Sequence, residues 1–291
     1  MKRPRLILGL AAFAMIISTI ALALGVSAAR QMPVQVAVGD HKLRVSIRGS
    51  GSPIVVLETF GPAQLETWNR IQSDIARFTR VMSYDHAGYW GSEPGPKPRD
   101  ATRIAHELHT ALRNAGLAPP YVLVGYSFGG PYIRVFGGLY PDEVAGMVFV
   151  DPTQESFMAW LNEHYPELNR VTVEDLDKQE EWGMQWASMN QAQAAQLPDV
   201  PMTLITGAAV HDVLSRKLLP LWQAEQVSWL SQFPKANHIV TTNSGHGVVF
   251  TEPELIVDAV RHVVEQVRPS RKRDEPDTSF APDVRPAAIR Q

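Results

Sequence analysis

A serine hydroxyl is a poor nucleophile at neutral pH. It needs an imidazole within hydrogen-bond reach to take its proton, and a carboxylate to fix that imidazole's tautomer. One stretch of the chain is suited to presenting such a serine: Tyr121-Val-Leu-Val-Gly-Tyr-Ser-Phe-Gly-Gly130, an apolar run, a serine bracketed by glycines, and a glycine pair opening a helical segment. Gly-x-Ser-x-Gly is the pattern of a nucleophile elbow, a sharp strand-to-helix turn that holds a serine hydroxyl clear of the backbone. The turn forces Ser127 toward positive φ and crowds the positions two before and two after it, where Gly125 and Gly129 carry no side chain to collide. The following helix points its positive end at the site, where a developing oxyanion would be stabilised. By itself the pattern has little specificity, so the surrounding elements must decide.

Nine histidines compete for the role of base. His106 and His109 stand three apart on an expected helix and invite a metal reading, but no further ligands accompany them, and no metal is expected. His238 and His262 fall inside regular elements, where a packed or solvated imidazole is the ordinary outcome. His246 lies in Asn243-Ser-Gly-His-Gly247, a loop just past the last expected strand, with glycine neighbours that let an imidazole approach a site.

The elements that must position these residues alternate. Val34 to Val38, His41 to Arg48 and Ile54 to Leu57 read as strands, the first two joined by a tight turn at Gly39-Asp40. A helix from about Glu66 to Phe78, a strand at Val81 to Tyr84, and a helix from Asp100, its N-cap, to Ala115 follow. Next come the strand Tyr121 to Val124, the helix Phe128 to Tyr140 and the strand Gly146 to Val150. The alternation resumes with the strand Met202 to Thr206, the helix Leu214 to Phe233, the strand Asn237 to Thr242 and a closing helix from Glu254 to Val267. This order implies an α/β fold: a doubly wound, mostly parallel sheet of about eight strands whose ligands bind beyond the strands' carboxyl ends. Residues 153–198 break the pattern as a helical cap insertion. Its Trp160, Trp182, Trp186, Met158, Met184 and Met189 either line a substrate cleft or pack the cap down, and its acidic cluster, Glu174, Asp175, Asp177, Glu180 and Glu181, reads as a solvated face.

The 291 residues are 45% hydrophobic, enough for a full core, with a net charge of only -3 and no basic stripe of the kind a nucleic-acid partner needs. The absence of cysteine excludes disulfides, a thiolate nucleophile and cysteine-ligated metals. Lys2, Arg3 and Arg5 precede an uncharged run from Leu6 to Ala29. Two readings of residues 1–30 stay open: a signal peptide cleaved near Val26-Ser27-Ala28, or an uncleaved membrane anchor. Either implies export of the folded part. Residues 269–291, rich in proline and charge, read as a disordered tail, which leaves 33–268 as one domain.

From Val34 to Val267 the chain resembles the α/β-hydrolase superfamily, in particular bacterial serine hydrolases of esterase type. The likeness rests on Tyr-Asp-His-Ala-Gly at 84–88, Val-Gly-Tyr-Ser-Phe-Gly-Gly at 124–130, Tyr-Pro-Asp-Glu-Val-Ala-Gly at 140–146 and Ser-Gly-His at 244–246. It implies Ser127 as nucleophile, His246 as base, no cofactor, and an oxyanion hole made of the Phe128 amide and one in the loop after the third strand. That loop usually carries His-Gly or Ala-Gly; here it is Thr59-Phe60-Gly61, so Phe60 or Gly61 would supply the second amide. The position of His86 is commonly arginine in similar sequences. Two acids compete. The superfamily's usual place, the loop after Met202 to Thr206, offers Asp212; the end of the preceding strand offers Asp151, which a strand locates better than a loop does. The implied activity is hydrolysis of a carboxylic ester or similar acyl compound with an apolar part. A perhydrolase or haloperoxidase-like activity, or a non-catalytic ligand-binding protein on the same fold, is the alternative.

Overall fold

The computed structural model describes residues 32–168, 171–210 and 213–268. The leader at 1–30, the tail at 269–291 and the candidate acid Asp212 lie outside them. Among the described residues no helix is long and apolar enough to cross a membrane.

The chain opens with an antiparallel pair, β1 (Val34–Ala37) and β2 (Lys42–Arg48), and continues through β3 (Ile54–Glu58), a 3-10 turn at Leu65–Trp68, α1 (Asn69–Ile75) and β4 (Arg80–Tyr84). It then runs through α2 (Ala101–Asn114), β5 (Tyr121–Tyr126), α3 (Gly129–Leu139) and β6 (Val144–Val150). Three helices follow before the sheet resumes: α4 (Glu155–His164), α5 (Val173–Lys178) and α6 (Gln185–Ala194). The last elements are β7 (Met202–Gly207), α7 (Val213–Leu230), β8 (Asn237–Thr241), the single turn α8 (Val248–Thr251) and α9 (Pro253–Val267).

The eight strands form one sheet in the order β1-β2-β4-β3-β5-β6-β7-β8, parallel from β4 to β8. Strands β3 and β5 are buried on both faces, which is why they read as unbroken apolar runs. Because successive side chains alternate, Ile54, Val56, Tyr121 and Leu123 join the core under α2 and α3, while Val55, Leu57, Val122 and Val124 join the core under α1 and α9. Helices therefore cover both faces. The helix expected over 66–78 is shorter, because a 3-10 turn precedes it and the chain closes back on Ile75 through the Phe78 and Thr79 amides. Asp100 caps α2 as its sequence suggests, accepting from the Arg103 amide at 2.9 Å.

The chain leaves β3 and β5 in opposite directions, so a crevice opens beyond their carboxyl ends, at the switch point where an open α/β sheet binds its ligands. Ser127, the Thr59 to Gly61 loop and Asp151 follow the strands that border it.

Candidate active site

Ser127 stands between β5 and α3 with φ of +54°, in the left-handed region that a non-glycine residue adopts at a cost of about 1–3 kcal/mol. Backbone contacts hold it there. Its amide donates to the Val150 carbonyl at 3.1 Å, and its carbonyl accepts from Gly130 and Thr153, both at 3.0 Å. A Cβ on Gly125 would lie 2.6 Å from the Gly129 carbonyl, and one on Gly129 would lie 2.4 Å from the Glu58 carbonyl. The missing side chains thus let the first turn of α3 pass against both β5 and the end of β3, bringing the Thr59 to Gly61 loop beside Ser127.

The imidazole of His246 lies within reach, its Nε2 at 2.9 Å from Ser127 Oγ and its Nδ1 at 2.7 Å from Asp151 Oδ2. A carboxylate can only accept, so Nδ1 carries the hydrogen and Nε2 turns a lone pair toward the serine. The His246 loop is tied down twice: Tyr126 Oη donates to the His246 carbonyl at 2.8 Å, with its ring stacked on the imidazole, and a Cβ on Gly207 would meet the Gly245 carbonyl at 2.3 Å. Asp151 is buried at the end of β6, with φ of +43° and its amide donating to the Ile205 carbonyl at 2.7 Å. Its other oxygen, Oδ1, accepts from the Gly207 amide at 3.0 Å and from Trp222 Nε1 at 2.9 Å. Among the described residues Asp151 is thus the candidate acid, and its carboxylate meets His246.

The other histidines weighed for the role of base are engaged elsewhere. His106 Nδ1 meets Tyr140 Oη at 2.6 Å, and His109 pairs with Glu143 and stacks on the Tyr140 ring. His238 Nε2 meets Thr206 Oγ1 at 2.9 Å, and His262 Nε2 meets Gln266 at 3.1 Å. Among the described residues no cluster of metal-ligating side chains is present.

Beside the Asp151 and His246 pair lies a cavity of about 460 Å³, walled by Phe157 and Met158 of α4 and by Leu218, Leu219 and Trp222 of α7. The aromatic and sulfur side chains of 153–198 therefore divide their roles. Met158 lines the cavity, Met189 is buried in the core, and Trp182 packs on Phe60 with ring centres 6.3 Å apart.

One expectation needs correction. Glu181 does not belong to a solvated face: it is fully buried and accepts from the Gly61 amide at 2.9 Å. That bond commits the Gly61 amide, so of the two candidates for the second oxyanion donor Gly61 is the poorer one. Sequence reasoning also missed Trp222, whose only signal was a large side chain on a helix near the sheet's carboxyl edge. The exchange at His86 now has a physical account. Its Nε2 lies 2.7 Å from Glu58 Oε1 and its Nδ1 2.9 Å from Glu181 Oε1, so a cation is required between two buried carboxylates. Burial disfavours that charge, but Glu181 and Glu58 outweigh it and raise the His86 pKa to about 10.

Residues 53–216 match the sequence model of the alpha/beta hydrolase fold family. An "AB hydrolase superfamily protein" of Gibberella zeae is 25% identical over 80% of this chain and 94% of its own length. The "Probable transporter efuK" of Hormonema carpetanum is 23% identical over 80% of this chain, which spans only 43% of that protein. Among solved structures, a thermophilic esterase from Thermogutta terrifontis superposes with a TM-score of 0.59 at 17% identity, covering 82% of this chain and all of its own.

Two measurements test this geometry. Gly129→Ala should destabilise the fold by about 1–3 kcal/mol in urea unfolding, because its methyl group would meet backbone that cannot swing away. A raised His86 pKa makes a stabilising contribution that is complete below its ordinary value of 6.5, declines as pH rises, and is gone above about 10. Unfolding free energies at pH 6, 8 and 9.5 should fall along that course in the wild type, and His86→Gln should remove the decline.

Proposed function

The chain belongs to the alpha/beta hydrolase fold family, and from that premise we propose that it is a serine hydrolase of carboxylic esters or similar acyl compounds. One observation carries the reading: the continuous hydrogen-bonded series from Ser127 Oγ through His246 to Asp151, at 2.9 and 2.7 Å. In this mechanism Ser127 Oγ attacks the acyl carbonyl while His246 Nε2 takes its proton, and Asp151 holds the Nδ1–H tautomer and stabilises the imidazolium that forms. The tetrahedral oxyanion faces the Phe128 amide at the start of α3 and a second amide in the Thr59 to Gly61 loop. His246 then returns its proton to the leaving alcohol. Water, activated by the same imidazole, releases the acyl group from Ser127.

The cavity beside His246 supports an apolar acyl or alcohol part, since Phe157, Met158, Leu218 and Leu219 offer it hydrocarbon and no charge. The basic residues and long uncharged run of the first thirty positions support export as the setting of this activity.

A fluorophosphonate probe should label Ser127 in the wild type and leave Ser127→Ala unlabelled. If the folded wild type takes no label and Ser127→Ala matches it on p-nitrophenyl esters, the protein is a ligand-binding member of the fold and not an enzyme. Asp151→Asn should lower kcat by about 10⁴-fold through loss of the correct histidine tautomer. Met158→Trp, which fills part of the cavity, should lower kcat/KM for long-chain esters by roughly 10-fold or more and leave acetate esters nearly unchanged, as rates across an ester chain-length series would report.

A further inference from the structure

Behind the Thr59 to Gly61 loop, and apart from Ser127, His246 and Asp151, lies a second polar cluster that is wholly buried. Glu58 at the end of β3, His86 in the loop after β4 and Glu181 between α5 and α6 expose 1%, 2% and 0% of their side chains. Each carboxylate accepts three hydrogen bonds. Glu58 takes them from His86, from Tyr84 Oη and from the Thr59 amide at 2.8 Å. Glu181 takes them from His86, from Tyr132 Oη at 3.1 Å and from the Gly61 amide at 2.9 Å. Both ring nitrogens of His86 face carboxylate oxygens, which only accept, so the ring is an imidazolium.

Burying three charges costs several kcal/mol per ion before their attraction repays it, and apolar side chains would fill the same space at less cost. What the cluster does that apolar packing would not is hold the amides on either side of Phe60. Thr59 N is taken by Glu58 and Gly61 N by Glu181, so both amides are committed to buried carboxylates. The carboxylate comes so close to Gly61 that a Cβ there would lie 2.4 Å from Glu181 Oε1. Meanwhile Thr59 packs on Gly129, and the Phe60 ring lies 5.3 Å from that of Phe128, the residue after Ser127.

We propose that Glu181, braced through His86 against Glu58, is a positioning residue that turns the Thr59 to Gly61 loop so that the Phe60 amide is the second oxyanion donor. The inference rests on the serine-hydrolase reading above. It also assigns a role to the segment between β6 and β7. Glu181 belongs to that segment, so the oxyanion loop is correctly turned only while the segment is seated on the sheet.

The test compares wild type, Glu181→Ala and Glu181→Asp on p-nitrophenyl butyrate, with fold checked by circular dichroism. Removing an oxyanion donor typically costs about 10²–10³-fold in turnover. Glu181→Ala, which frees the loop, should accordingly lose about 100-fold in kcat, with KM within threefold of wild type. Glu181→Asp keeps the charge beside His86 but withdraws it from Gly61 by one methylene, and should lose about 10-fold in kcat at unchanged KM. A boronic acid that forms a tetrahedral adduct on Ser127 should lose affinity in proportion to kcat across the three proteins. If Glu181→Ala does not fold, the Asp variant decides. Wild-type kcat in a folded variant, or a loss confined to KM, overturns the inference and leaves the serine-hydrolase reading intact. A wild type inert toward both ester and fluorophosphonate overturns both.

Discussion

Ser127 sits in a left-handed backbone conformation where a central strand turns directly into a helix, and the backbone on both sides leaves no room for a side chain at Gly125 or Gly129. Everything else in the crevice is arranged around that close packing. With a side chain at either glycine, α3 would stand away from β3, and the loop after β3 would no longer lie beside the serine. The conformation costs about 1–3 kcal/mol, and the bonds from Ser127 to Val150, Gly130 and Thr153 tie that cost to the pairing of β5 with β6. The local strain persists because the middle of the sheet cannot relax it without unpairing.

The same sheet edge fixes the acid. Asp151 also has positive φ, and it follows β6 directly, with its amide on the carbonyl of Ile205 in β7. Its carboxylate is shared: one oxygen faces His246, and the other takes the Gly207 amide and the Trp222 indole. Trp222 is also a wall of the apolar cavity and meets Phe157 edge to face at 4.7 Å. The surface that would hold an apolar substrate is therefore continuous with the hydrogen bonds that orient the proposed acid.

What could be read from the sequence, and what could not, follows from the range of the interactions. The strands β3, β5 and β6 declare themselves because burial on both faces demands unbroken apolar runs. Ser127 declares itself because its turn demands glycines at fixed offsets, and His246 because a loop between the last strand and last helix must lie at the carboxyl edge. Each of these signals is local. Glu181 gives no such signal. It stands in a run of acids that includes the exposed Glu174 and Asp177, and its partners His86 and Gly61 lie 95 and 120 positions away. The pairing of Asp151 with His246 is equally beyond local pattern, since the two stand 95 positions apart and only the strand order brings them together.

The two histidines at this edge show how partners and burial, and not residue type, decide what an imidazole can do. His246 is half exposed and faces one carboxylate, so one nitrogen is hydrogen-bonded to Asp151 and the other keeps a lone pair for the serine hydroxyl. His86 is sealed from solvent and faces two carboxylates, so both nitrogens are donors and no lone pair remains. A base must gain and lose a proton during each turnover, whereas a brace must keep one throughout. The carboxylates of Glu181 and Glu58 outweigh the opposing effect of burial and raise the His86 pKa to about 10, far from the range in which it would exchange protons at neutral pH. The arrangement that bars His86 from proton transfer is the one that suits it to hold two like charges together, and with them the strand end and the helical segment to which they belong.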